Sequence, residues 1–258
     1  MDFIDSYAYS NHLRKVEPVF KAGLAGSILI LCLLLNSPFV GLAAVLWMAG
    51  LAVWLASIPP KVFGGILLAE FGFFLLATGG IAVSITLTSP VAIHPWRLHI
   101  GPVWFSTAPQ LLRQALLVIS RVMGCVAAMN FLALTTPMTD LFRLAQQMRM
   151  PDTLIDLMTL MYRYIFVLFE TMERMLKAQQ GRLGYATFKS GITSAGLLAT
   201  RLFLDAYRRS QQLQIALEAR GYESGNLRLL TDSYGADYRL LWLGLAAVAS
   251  LLLVWMMG

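Results

Sequence analysis

Between Lys21 and Lys61 the chain reads AGLAGSILILCLLLNSPFVGLAAVLWMAGLAVWLASIPP, 39 residues without a charge. A helix that crosses the hydrocarbon core of a bilayer needs roughly 20 apolar residues at a rise of about 1.5 Å each. The stretch is therefore long enough for two such helices. Asn36-Ser37-Pro38 divides it, because Asn favours turns and Pro cannot continue a helix, and Ile58-Pro59-Pro60-Lys61 closes it. The first span runs from about Val19 to Leu35 and the second from about Phe39 to Ser57.

The same logic extends outward. No charge lies between Glu70 and Arg97, between Arg121 and Asp140, or after Arg239. Three more spans follow, at about Val62 to Leu87, Leu111 to Leu134 and Leu240 to Met257. Over all 258 residues 58% are hydrophobic and 13% charged, where a soluble domain carries about 25% charged residues. An ordinary soluble enzyme is excluded. The expected fold class is an all-α integral membrane protein with about five transmembrane helices and a cytoplasmic domain of long helices. Irregular backbone is not tolerated against lipid, so the Gly/Pro breaks belong at the membrane surfaces.

Orientation follows from flanking cations, which favour the cytoplasmic side of short loops. Arg14, Lys15 and Lys21 sit at the start of the first span and Lys61 follows the second, so the N-terminus is expected in the cytoplasm. Residues 88–110 then form an external loop carrying only Arg97, and the last span leaves with the C-terminus outside. Met1 to Ser10 contains Asp2 and Asp5 and no basic segment followed by an apolar one, so no cleavable signal peptide is expected. Cys32 and Cys125 both fall within spans and read as small packing residues.

Charge concentrates in one place. Residues 138–239 hold 23 of the 34 charged side chains, leaving 11 for the other 156 residues. The expected organisation is therefore a four-span membrane domain at 1–137, a cytoplasmic domain at 138–239 and a last span at 240–258. After Thr135-Thr136-Pro137, an amphipathic stretch runs from Met138 to Met148 and ends at Met150-Pro151. A long helix follows from Pro151-Asp152 to Gln180, about 45 Å at the helical rise. Its segment Tyr164 to Phe169 is wholly apolar or aromatic, and a helix apolar nearly all round must be covered on both sides. Either it is a sixth span or it lies under the membrane domain against other proteins; Arg163 near its middle favours the second. Another long helix spans about Phe188 to Ala219. Seven of the 13 methionines lie between Met138 and Met175, a residue suited both to irregular filling and to surfaces that re-pack.

The two long helices end alike. One closes Ala178-Gln-Gln-Gly181-Arg182-Leu-Gly184-Tyr185 and the other Ala216-Leu-Glu-Ala219-Arg220-Gly221-Tyr222, and an offset of 38 residues superimposes Arg182 on Arg220. A Gly past a helix end takes the left-handed cap without steric cost, and Arg in the last turn suits the negative end of the helix dipole. A small residue before the Arg permits close approach, and the guanidinium fork can engage carboxylates or carbonyls in a groove. Two such ends match a partner that presents its groove twice.

These features carry a family resemblance. The opening Ile4-Asp-Ser-Tyr-Ala-Tyr-Ser-Asn-His-Leu-Arg14 with Pro18 and Lys21, then Leu134-Thr-Thr-Pro137, Met150-Pro151, Arg163-Tyr164-Ile165 and Ala219-Arg220-Gly221-Tyr222 resemble the transmembrane T component of energy-coupling-factor (ECF) transporters. The nearest likeness is to the CbiQ branch that serves cobalt or nickel uptake, over nearly the whole length. The resemblance implies a non-catalytic bacterial cell (inner) membrane subunit. Its cytoplasmic coupling helices would dock into the grooves of two ATP-binding ATPase subunits and pass their motion to a separate substrate-binding membrane subunit. By that likeness Ala219, Arg220 and Gly221 carry over directly. The first motif departs from the pattern as Gly181-Arg182-Leu183, so only Arg182 transfers.

The rest of the inventory fits that division of labour. No Gly-x-x-x-x-Gly-Lys-Ser/Thr occurs, so ATP hydrolysis must come from elsewhere. His12, His94 and His99 have no Cys or carboxylate near them at ligand spacing. No cofactor, resident metal or nucleic-acid partner is expected. Trp96 and Trp104 beside the external histidines read as a membrane-surface belt. Glu70 and Arg121 lie within spans, where ionisable groups are functional candidates; a depth difference of about 10 Å works against their pairing directly. Two alternatives remain open: a T component of a vitamin-type system, and an intramembrane enzyme using Glu70, Arg121, His94 and His99.

Overall fold

The computed structural model describes residues 7–82, 84–86, 96–100, 103–107, 109–221 and 238–257. Its helices are α1 (Pro18–Leu34), α2 (Pro38–Trp54), α3 (Pro60–Ala82), α4 (Pro109–Thr135), α5 (Met138–Gln147), α6 (Asp152–Gly181), α7 (Phe188–Ala219) and α8 (Tyr238–Met257), preceded by a 3₁₀ turn at His12–Lys15. Each of the first four begins on a proline, whose fixed φ suits a first helical turn and whose missing N–H would have no partner there. By length and composition α3 and α4 can each cross a membrane, and Pro18–Leu34, Pro38–Trp54 and Trp242–Met256 are shorter apolar helices.

The fold is predominantly helical, as expected, with one addition. Across the end of the expected third span and the region read as an external loop lies a three-stranded antiparallel sheet in the order β1-β3-β2, formed by β1 (Ser84–Thr86), β2 (Trp96–Ile100) and β3 (Val103–Thr107). Ile85 faces Phe105 and His99 faces Trp104 in register. The physical reason is local: β-branched and aromatic residues flank Gly101-Pro102, the composition of a hairpin rather than of an open loop. The third helix accordingly stops at Ala82 instead of running to Leu87.

Two compact units divide the chain. One comprises Met1–Asp140 with Asp232–Gly258 and the other Leu141–Thr231. The first has a core of Ile28, Cys32, Val40, Ala44, Met48, Phe131, Leu240 and Leu251, drawn from α1, α2, α4 and α8. Its tightest seam joins α2 to α4. A Cβ on Gly41 would collide with the Ser120 carbonyl, and one on Gly124 would come within 3.2 Å of the Gly41 Cα and 2.9 Å of Cys32 Sγ. The Ser120 hydroxyl donates to the Pro38 carbonyl across the same seam. Close backbone approach through small residues lets these two apolar helices pack directly on each other.

Polar side chains fasten this unit at its ends. Lys21, which reads in sequence as a surface cation, is fully buried at 0% exposure. Its ammonium donates to the carbonyls of Leu13 at 3.0 Å and Thr135 at 3.1 Å. Asn11 Nδ2 donates to the Leu134 carbonyl at 3.1 Å. Pro137 stops α4, so its last carbonyls have no helical donors; Asn11 and Lys21 supply them, with a cation at the negative end of the dipole.

Two stability changes follow. Gly41→Val is expected to force α2 from α4 and lower stability by about 2 kcal/mol or more, read as a drop in Tm of the detergent-solubilised chain. Lys21→Met, close in volume, removes two charge-assisted bonds and is expected to cost about 2 kcal/mol by the same measurement; an unchanged Tm would contradict the assigned role of the ammonium.

Candidate functional site

The intramembrane charges of the sequence reading do not meet. Glu70 on α3 accepts from Asn130 Nδ2 on α4 at 2.8 Å, and Arg121 on α4 donates to Asn36 Oδ1 in the α1–α2 turn at 2.6 Å. Each fastens α4 to a neighbouring element; Asn36 was read from sequence only as a turn residue, and Asn130 was not read at all. His99 lies on β2 and His94 outside the described residues. Among the described residues, no three His, Cys, Asp or Glu side chains cluster as metal ligands would.

The second unit holds the long helices. α6 runs 30 residues and α7 32, close to the expected bounds. α5 and α6 meet through aromatic edges, with Phe142 5.9 Å from Tyr162 and Tyr162 5.0 Å from Phe166. The i,i+4 pairs Glu173–Lys177 and Asp205–Arg209 decorate the helix surfaces, as helical spacing favours. No residue of α7 is buried, and Phe188, Ile192, Phe203 and Ile215 are exposed.

The two helix ends have the same backbone. Arg182 closes α6 as its C-cap with φ −99° and ψ 16°, and Arg220 closes α7 with φ −93° and ψ 6°. The next residue in each case is left-handed: Leu183 at φ 58° and Gly221 at φ 66°. At the first end the Leu183 N–H donates to the Gln180 carbonyl at 3.0 Å and the Gly184 N–H to the Gln179 carbonyl at 2.9 Å, the paired bonds of a Schellman motif. At the second the Gly221 N–H donates to the Glu218 carbonyl at 3.0 Å. Gly181 and Ala219 occupy equivalent last helical positions. Both arginines are exposed, and among the described residues neither has an acidic partner.

Gly184, which the sequence suggests as the first cap glycine, has a different task. The left-handed residue is Leu183, one position earlier. Gly184 allows close packing: a Cβ there would lie 2.8 Å from Ser194 Oγ and 3.0 Å from the Gln179 carbonyl oxygen. Its own carbonyl accepts from Ser190 Oγ and Ser194 Oγ, both at 2.8 Å. Gln179 Nε2 donates to the Ser194 carbonyl at 3.1 Å and Tyr185 donates to Gln179 Oε1 at 2.8 Å. Arg182 therefore projects from a braced corner between α6 and α7. Tyr222 of the second motif lies outside the described residues.

Two helices long and apolar enough to cross a bilayer and a helical unit with two matched cationic ends are the features set beside known proteins. Residues 10–229 match the family described as cobalt transport protein, CbiQ, and the chain belongs to that family. It is 35% identical over 229 residues to an uncharacterised protein of Methanocaldococcus jannaschii, covering 89% of this chain and 83% of that one. It is 29% identical over 206 residues to the cobalt transport protein CbiQ of Rhodobacter capsulatus, covering 76% and 83%. It is also 31% identical over 166 residues to the ECF transporter transmembrane protein EcfT of Brevibacillus brevis, covering 60% and 62%.

A left-handed leucine costs roughly 1–2 kcal/mol, more than the roughly 0.5–1 kcal/mol of extra chain entropy that glycine would lose there. Leu183→Gly is therefore expected to raise stability by up to about 1 kcal/mol, read as a higher Tm in detergent. A lower Tm would contradict the strain at this corner.

Proposed function

We propose that the chain is the energy-coupling transmembrane subunit of an ECF-type transporter for cobalt or nickel. In this reading five helices, α1 to α4 and α8, cross the membrane with the N-terminus in the cytoplasm, and α5 to α7 form the coupling domain. Arg182 and Arg220, with Gly181, Gly184, Ala219 and Gly221 around them, dock into two ATP-binding subunits. Closure of those subunits on ATP moves the long helices, and the membrane domain moves a separate substrate-binding subunit. The chain itself hydrolyses nothing and holds no resident metal; the cobalt or nickel ion is cargo.

One observation carries this reading: two helix ends, 38 residues apart, present an exposed arginine in the same backbone geometry. Duplicated ends suit a duplicated receptor, which a pair of ATPases supplies. The uncovered α7 supports it, since a helix with no buried residue needs a partner. Cobalt is favoured over a vitamin by the family description and by the name of the Rhodobacter capsulatus relative. The intramembrane-enzyme reading loses ground because Glu70 and Arg121 are engaged by separate asparagines instead of converging.

Arg220→Glu reverses the docking charge without touching the membrane helices. The variant is expected to insert and fold normally, yet to lose ATPase attachment and cobalt uptake by tenfold or more. Uptake at the parental level would sink the proposal.

A further inference from the structure

The two ends share a backbone but differ in chemistry at one position. Leu183 and Gly221 occupy the same left-handed site after the C-cap arginine, where glycine is the usual occupant and leucine a rare one. Leu183 is 75% exposed. The apolar contact that often accompanies a Schellman cap bypasses Leu183: it joins the residue two after the C-cap, here Gly184 with no side chain, to the residue three before it. That residue is Gln179, whose amide is already engaged with Ser194 and Tyr185. The leucine thus keeps an unfavourable backbone conformation with three quarters of its surface open. Strain retained at an exposed turn points to use of that side chain by something outside the chain. Five residues on, Phe188 is 88% exposed at the start of α7, so the first end offers an apolar tip beside its cation. The second end offers Arg220 followed by a residue with no side chain.

The geometry points to Leu183 as an apolar anchor that enters a pocket of the ATP-binding subunit docked at the first helix end, making the two docking ends unequal. This rests on the reading of both ends as ATPase docking points. The chemistry required of the partner is specific: acidic or carbonyl groups to take the Arg182 guanidinium, and beside them an apolar hollow the size of a leucine side chain. The braced corner favours this use. Gly184 is held by Ser190 and Ser194, so Arg182 and Leu183 are presented in a fixed relation and little ordering is needed on binding. The ATPase bound at the first end would be the more tightly held, and it would remain when the second is released.

The test titrates the detergent-solubilised full chain with the purified ATP-binding subunits that co-purify with it. Leu183→Gly and Leu183→Asn both suit the left-handed turn and remove the apolar side chain. Both are expected to bind the ATPase about tenfold more weakly, the weight of one buried leucine, with Tm at or above the parent for the glycine variant. Leu183→Met keeps an apolar chain and is expected to bind within about threefold of the parent. Parental affinity in both the Gly and the Asn variants would overturn the inference. Arg220→Glu in the same titration separates the two levels: if it weakens binding while the Leu183 variants do not, only the anchor fails, and if it too leaves binding unchanged, the docking reading fails with it.

Discussion

A buried ammonium holds the first compact unit at the point where its longest helix ends. α4 is 27 residues of largely apolar sequence, and Pro137 leaves its final carbonyls without helical donors in surroundings where an unsatisfied polar group is costly. Lys21 reaches from α1 to the Thr135 carbonyl and, with its other N–H, to Leu13, while Asn11 takes Leu134. Three separated pieces of chain meet at one charge: the N-terminal turn, the start of α1 and the end of α4. The small-residue seam of Gly41, Ser120 and Gly124 continues the union between α2 and α4. Glu70 and Arg121 add side-chain ties from α4 to α3 and to the α1–α2 turn. α4 is therefore the element against which α1, α2 and α3 are registered.

The helical unit is built on the opposite plan. Where the first unit buries Lys21, no residue of α7 is fully buried and the two terminal arginines stand free of acidic partners among the described residues. The order at the two ends is in their backbone. A C-cap arginine followed by a left-handed residue occurs twice, and the first copy is braced by Ser190, Ser194, Gln179 and Tyr185 around Gly184. Stiff ends on long exposed helices suit a part that transmits force to a partner, as the proposed coupling role requires.

The apolar helices and the long helices were legible from sequence because their signals are strong and local: charge-free runs of the right length, prolines at first turns, and breaks at Asn36, Pro59 and Pro151. The matched ends were legible because Arg182 and Arg220 align at a fixed offset. The polar fastening was not. Lys21 finds its acceptors on backbone carbonyls 8 and 114 residues away, and a carbonyl leaves no mark in the residue sequence. Asn36 and Asn130 were hidden for a related reason, since a single amide in an apolar run gives no hint of which distant charge it meets. The left-handed leucine was missed because glycine preference pointed one residue too far, to Gly184, whose real constraint is contact with Ser194. The small sheet went unread because two of its short runs lay within what looked like a surface loop and the third at the end of an expected span.

The central claim is that both helix ends face ATP-binding subunits, and proximity tests it most directly. A photo-reactive residue placed at Gln180 and, separately, at Glu218 leaves both arginines intact and samples equivalent positions one half-turn before each cap. On irradiation in native membranes, each is expected to form a covalent adduct with an ATP-binding subunit, identified by mass spectrometry. Adducts at neither position, or only with lipid, would contradict the account.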